Sequence, residues 1–244
     1  MVLAAGRGER MRPLTDTMPK PLLPVRGKPL LQWHVDALAR GGFCDIVINT
    51  AWLGEQIPSH FGPQPLSDLR QPLSISYSHE GQDFGGALET AGGIVRALPR
   101  LSDLFWVLAG DVFAPDFAFT QAAVARFAAS DKLAHLWLVP NPAHNPKGDF
   151  GLAPDPAAPG LQLAVNQAEV KYTYSTIGLY RRALFEAPWC DVPVGNPQGV
   201  KTPLAPLLRR AMDNHLISAE LYLGAWTDVG TPARLAQLNQ TEPS

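Results

Sequence analysis

Val2-Leu3-Ala4-Ala5-Gly6-Arg7-Gly8-Glu9-Arg10-Met11-Arg12-Pro13-Leu14-Thr15 is the stretch on which the reading of the chain turns. A short apolar run, 2–5, ends at Gly6 and opens into a loop rich in glycine, arginine and proline that continues to Lys28. Glycines directly after a strand let backbone approach a ligand with no Cβ in the way. Their amides can bind a base or a phosphate, and Arg10 and Arg12 add fixed positive charge. A basic surface loop would carry the same residues, so Gly-x-Gly alone decides nothing. The dinucleotide fingerprint Gly-x-Gly-x-x-Gly fails, because Met11 holds its third glycine position, and no Gly-Lys-Ser/Thr of a P-loop follows.

Working outward, the hydrophobic pattern predicts a helix from Pro29 closed by Gly41-Gly42, with a stripe of Leu30, Leu31, Val35, Leu38 and Ala39. Strands are predicted at 44–51, 73–77, 105–109 and 133–139, and helices at 53–61, 88–98 and 117–129. This alternation predicts an α/β fold with a mostly parallel central sheet and helices on both faces. Ligands in such sheets sit at the carboxyl ends of the strands. Residues 141–160, rich in Pro, Asn, Asp and Gly, read as a loop or lid. A small antiparallel annex is predicted at 161–165 and 170–180. A helix at 203–214, a strand at 216–223 and a closing helix at 231–239 follow. The organisation expected is one domain over 1–240, with 241–244 a tail.

Composition narrows the class. The chain has 244 residues, 46% hydrophobic and 17% charged, which is globular rather than disordered. Twenty basic against 22 acidic residues give a net charge of −2, without the basic excess of a general nucleic-acid binder. Cys44 and Cys190 cannot make a disulfide framework or a cysteine zinc site. No apolar run approaches the length of a membrane span. The early apolar run precedes Arg7, Arg10 and Arg12, the reverse of a secretory leader, so a cytoplasmic setting is expected.

Three further pieces carry chemistry. In Pro19-Lys20-Pro21, two prolines stiffen the backbone around one lysine, which suits a point contact with a phosphate. Asp111 follows Gly110 at the end of an apolar strand, where it can ligate a divalent ion or cap a turn. Asp228, in Trp226-Thr227-Asp228-Val229-Gly230-Thr231, could complete a two-carboxylate magnesium site or cap the last helix. No Ser-His-Asp or Cys-His arrangement is apparent.

Together, and in this order, Leu-Ala-Ala-Gly-x-Gly-x-Arg, Pro-Lys-Pro-Leu, Gly-Asp and Asp-Val-Gly-Thr resemble the sugar-1-phosphate nucleotidyltransferases. The resemblance runs from Val2 to about Leu238 and implies a single Rossmann-like, GT-A-type domain using Mg2+, with 1–140 mainly nucleotide-binding and 141–230 mainly sugar-phosphate-binding. Within that family, 48–57, 88–94, 148–150 and 204–209 resemble the uridylyltransferases acting on UTP and N-acetylmuramate α-1-phosphate in peptidoglycan recycling. The resemblance implies catalytic roles for Lys20 and Arg10 and metal ligation by Asp111 and Asp228. It puts the nucleotide on Leu3, Ala4, Ala5, Gly6 and Gly8, with Glu80, Glu89 and Thr90 closing the base pocket. It puts the sugar on Gly148, Asp149 and Thr176, although Thr176 stands where the family often has asparagine. Glu80 could accept from uracil or from guanine, so the base stays open. A guanylyltransferase for mannose or heptose 1-phosphate, a UTP- or dTTP-dependent glucose 1-phosphate transferase and a non-catalytic binding module are the alternatives. A monomer or weak dimer is expected, with no nucleic-acid or membrane partner.

Overall fold

The computed structural model describes residues 1–240; the expected tail, 241–244, lies outside the described residues. The chain forms two compact units. The first comprises Met1–Leu88, Ala109–Thr120 and the segment from Ala225 onward; the second comprises Glu89–Leu108 and Gln121–Gly224.

In the first unit the strand Val2–Ala4 pairs in parallel with Asp45–Thr50, which pairs in parallel with Ser74–His79. The register places Val2 against Ile48 and Asp45 against Ser74. Asp45–Thr50 is buried on both faces from Ile46 on, which explains its near-continuous apolar run. Helix Leu30–Arg40 buries Leu30, Leu31, Val35 and Leu38, as its stripe predicts. A two-residue turn at Arg26 and Gly27, with φ of 52° and 76°, joins the short strands Pro24–Val25 and Lys28–Pro29. Two positive φ values match the right-handed twist of a tight hairpin. Met11, Leu23, Val25, Leu30, Phe113, Val229 and Leu235 form one buried cluster. Met11, the residue that spoils the dinucleotide fingerprint, is thus the apolar anchor of the glycine-arginine loop.

The second unit carries a mixed sheet in the order Leu104–Ala109, Lys171–Arg181, Ala134–Val139, Ile217–Leu221, Gln162–Val165, Phe150–Pro154. Ile217–Leu221 runs parallel to Ala134–Val139, and Lys171–Arg181 is antiparallel to both of its neighbours. Phe150–Pro154 also pairs with the start of Lys171–Arg181, Lys171 opposite Gly151. Helices Glu89–Ala97, Gln121–Ala128 and Leu204–Met212 belong to this unit. The Lys132 ammonium, buried, meets Asp155 at 2.8 Å and the His215 carbonyl at 3.0 Å, tying three separate segments together. The annex is larger than its sequence suggests. Residues 141–160 are not wholly loop, because Phe150–Pro154 is a strand. Gly151 and Pro154 hide it from a period-two reading, and pairing on both sides makes it.

Gly41 ends the first long helix with ordinary helical dihedrals, so its freedom from a side chain matters for space. A Cβ there would lie 2.0 Å from the Phe119 carbonyl oxygen. Gly41→Ala should therefore lower the stability to urea by about 2 kcal/mol or more, because backbone rather than a mobile side chain has to move. Equilibrium denaturation followed by circular dichroism measures it.

Candidate active site

The site is assembled within the first unit. Gly8 holds a left-handed φ of 68°, and a Cβ on it would meet the Thr15 methyl at 3.0 Å and Lys20 Cβ at 3.2 Å. Thr15 Oγ1 donates to the Gly8 carbonyl at 2.9 Å, and the Met11 amide donates to the same oxygen at 2.9 Å. Arg7 takes no part in this cavity. Its guanidinium lies 3.3 Å from the centre of a Trp52 ring, and the Trp52 indole N–H donates to Thr15 at 2.8 Å. Arg12 is paired with Asp16 at 2.9 Å. Arg10, exposed, lines a cavity of about 200 Å³ with Gly6, Gly8, Lys20, Asp111 and Gly230.

Lys20 opens a single tight turn, Lys20–Leu22, between its two prolines. Its side chain is 9% exposed, and Nζ lies 2.6 Å from Asp111 Oδ2. Gly110 brings that aspartate in: its amide donates to the Leu3 carbonyl at 2.8 Å, and a Cβ would sit 3.0 Å from the same oxygen. The short strands Val112–Phe113 and Thr227–Asp228 then pair, Asp228 opposite Val112, and the Val229 amide donates to the Asp111 carbonyl at 2.8 Å. Two aspartates 117 positions apart in sequence thus lie on adjoining backbone.

Asp228 already has a partner. Arg234 Nη1, from helix Pro232–Gln240, donates to its Oδ1 and, at 3.3 Å, to its carbonyl. Burial and the nearby charge of Arg10 hold the Arg234 guanidinium below the usual arginine range. Among the described residues no cluster of three or more metal-ligating His, Cys, Asp or Glu side chains occurs. Two carboxylates beside an open cavity suit a hard cation that keeps waters and takes substrate oxygens as its other ligands.

His34 supports this arrangement from behind. Its Nε2–H donates to the Val112 carbonyl at 2.8 Å, next to Asp111, and the side chain is buried. Burial pushes its pKa from 6.5 down to about 4, against the smaller opposing pull of the Val112 carbonyl and the Asp111 charge. The folded protein therefore resists protonation that the unfolded chain accepts. This stability is complete above pH 6.5 and is lost as pH falls from there towards about 4. The loss should be on the order of 3 kcal/mol, and His34→Gln should flatten it in urea titrations at successive pH values.

Glu80, expected at the base, is fully buried and bonded within the chain. Oε1 accepts from Asn49 Nδ2 at 2.7 Å, and Oε2 accepts from the Leu88 amide at 2.8 Å. Asn49 Oδ1 in turn accepts from the Ala4 amide at 2.8 Å. The carboxylate thus fixes the backbone at Ala4, beside half-buried Leu3 and buried Ala5, through an asparagine that the sequence reading passed over. A polar residue ending the run Ile46-Val47-Ile48 was the available signal. Glu80→Gln puts an amide where a second donor already points, so it should cost about 1–3 kcal/mol. A fall in denaturation midpoint checks this; a raised KM for nucleotide at unchanged stability would instead point to direct base contact.

The remaining expected residues lie in the second unit. Glu89 begins helix Glu89–Ala97, exposed, with φ of 59°, and Thr90 follows it half-buried. Gly148 has φ of 62°, and a Cβ there would lie 2.7 Å from the Lys171 carbonyl carbon. Asp149 accepts from the Tyr174 amide at 2.8 Å and from Asn145 Nδ2 at 3.3 Å. Thr176 sits at a bulge in Lys171–Arg181 with φ of 65°, and its hydroxyl donates to the Ser175 carbonyl at 2.6 Å. A left-handed β-branched residue is rare enough to mark a constrained, often functional, position. Gly148, Asp149 and Thr176 gather about one stretch of that strand.

The nucleotidyl transferase family model matches residues 1–244. The chain belongs to the nucleotidyl transferase family. It is 46% identical over 239 residues to the N-acetylmuramate alpha-1-phosphate uridylyltransferase of Neisseria meningitidis serogroup B, covering 97% of this chain and 95% of that one. It is 29% identical to the mannose-1-phosphate guanylyltransferase catalytic subunit beta of Xenopus tropicalis, over 95% of this chain and 61% of that one. Among solved structures, a UDP-glucose pyrophosphorylase from Acinetobacter baumanii superimposes with a TM-score of 0.72 at 15% identity, covering 98% of this chain and 90% of that one. This nucleotidyl transferase thus has the α/β fold that its sequence predicts. Among the described residues no helix is long and apolar enough to cross a membrane.

Proposed function

We propose that the protein transfers a uridylyl group from UTP to N-acetylmuramate α-1-phosphate, releasing pyrophosphate and UDP-N-acetylmuramate, in the cytoplasm as part of peptidoglycan recycling. The observation that carries the chemistry is the Lys20–Asp111 contact of 2.6 Å at a cavity also lined by Arg10. The choice of substrates rests on the 46% identity to the Neisseria enzyme, spread over 97% of this chain.

The attacking oxygen belongs to a sugar phosphate, already anionic at neutral pH, so no protein nucleophile or strong base is needed. That oxygen bonds to the α-phosphorus as the bond to the bridging oxygen of pyrophosphate breaks. The barrier is crowding of negative oxygens, and catalysis is positioning plus electrostatic stabilisation. Arg10 holds the triphosphate. Lys20, fixed by its prolines and by Asp111, meets the charge that builds on the α-phosphoryl oxygens. Asp111 and Asp228 would hold Mg2+, which when bound neutralises and orients phosphate oxygens. The backbone of Leu3 to Gly6, set by Asn49 and Glu80, receives the base, with Gly8 in the phosphate loop; Glu89 and Thr90 are the other residues assigned to the nucleotide. Gly148, Asp149 and Thr176 receive the sugar. The active species is a monomer or weak dimer.

Pyrophosphate release over a grid of nucleotides and sugar 1-phosphates should be fastest with UTP and N-acetylmuramate α-1-phosphate. Turnover with GTP and none with UTP would overturn the reading. Asp111→Asn should lower kcat by roughly a hundredfold or more while leaving cooperative unfolding intact; unchanged kcat would remove Asp111 from the chemistry.

A further inference from the structure

Arg234 stands in the first turn of helix Pro232–Gln240, where the helix dipole disfavours a cation. It is retained there against a second cost. A Cβ on Gly230 would lie 2.8 Å from Arg234 Nη1 and 3.5 Å from Arg10 Nη2, so two guanidinium groups crowd one point. The same point is 3.2 Å from Asp228 Oδ2. The Arg234 side chain is 20% exposed and that of Asp228 24%. Asp228 offsets the charge of Arg234 in the ligand-free protein, and the same carboxylate is the one assigned to the cation. It cannot give its oxygens fully to both.

We propose that Arg234 is a latch: it holds Asp228 in the ligand-free protein, releases it to the divalent cation when a polyphosphate enters, and turns its own guanidinium with Arg10 onto the phosphate chain. This rests on the reading of Asp111 and Asp228 as cation ligands. An anion of several charges is the ligand that relieves the repulsion between the two guanidinium groups. A cation arriving alone must displace Arg234 first, so cation and polyphosphate bind with positive coupling. Gly230 leaves the space through which the guanidinium passes between its two partners.

The test is equilibrium binding without turnover. Mn2+ binding to nucleotide-free protein is followed by paramagnetic resonance, and pyrophosphate binding in the presence of Mn2+ by calorimetry. Arg234→Ala should bind Mn2+ alone at least about fivefold more tightly and pyrophosphate at least about fivefold more weakly than the unaltered protein. Arg234→Lys should recover part of the pyrophosphate affinity. Asp228→Asn should weaken Mn2+ binding. If Asp228→Asn weakens Mn2+ binding but Arg234→Ala leaves it unchanged, the latch is wrong and the cation site stands. If Asp228→Asn binds Mn2+ as the unaltered protein does, the cation assignment falls and the latch with it. Loss of both affinities in Arg234→Ala, with a lower melting temperature, would make Arg234 a structural residue only and end the proposal.

Discussion

Burying a charged side chain is costly unless it is paired, and Lys20, 9% exposed, is paired with Asp111, 2.6 Å away. That pair constrains much of what surrounds it. Lys20 is held by prolines on either side, and Asp111 by the close approach of Gly110 to the Leu3 carbonyl. Both anchors use backbone rather than long side chains, and they fix the two main-chain positions from which the ammonium and the carboxylate meet. A charge pair of this kind contributes little net folding energy. Its value lies in setting a positive and a negative group side by side before any substrate arrives.

The rest of the first unit reads as support for that pairing. His34 ties the long helix to the strand next to Asp111. Met11 sinks the arginine loop into a cluster shared with Val229 and Leu235. Glu80 and Asn49 lock the end of the first strand. The three polar groups among these, His34, Glu80 and Asn49, are all spent on backbone, directly or through one intermediary. Preorganisation here is mainly a matter of where main-chain amides and carbonyls are held.

What was legible in the sequence follows from this. Lys20 and Asp111 stand in short strings whose neighbours, prolines and a glycine, announce their geometry. The long apolar stripes of the first helix and of Asp45–Thr50 are equally plain. The strand Phe150–Pro154 is not, because it exists through partners on both sides rather than through its own pattern. Glu80 is legible only in part for a related reason: a carboxylate after a strand suggests a ligand for a base, and only the fold reveals that Asn49 and Leu88 bond to it. Arg234 had a signal, a cation in the wrong turn of a helix, but its meaning depends on Asp228 standing next to it.

The first unit is drawn from three stretches of chain, the last beginning at Ala225, with the segments of the second unit threaded between them. Asp228 sits in the last of the three. A polypeptide emerging from the ribosome therefore displays the arginine loop, the lysine and the first aspartate long before the second aspartate is available. The earlier stretches can collapse while synthesis continues, but the candidate site is complete only once residue 228 has been made. A chain stopped upstream of Ala225 would lack Asp228 and with it the strand pairing that sets the two aspartates side by side.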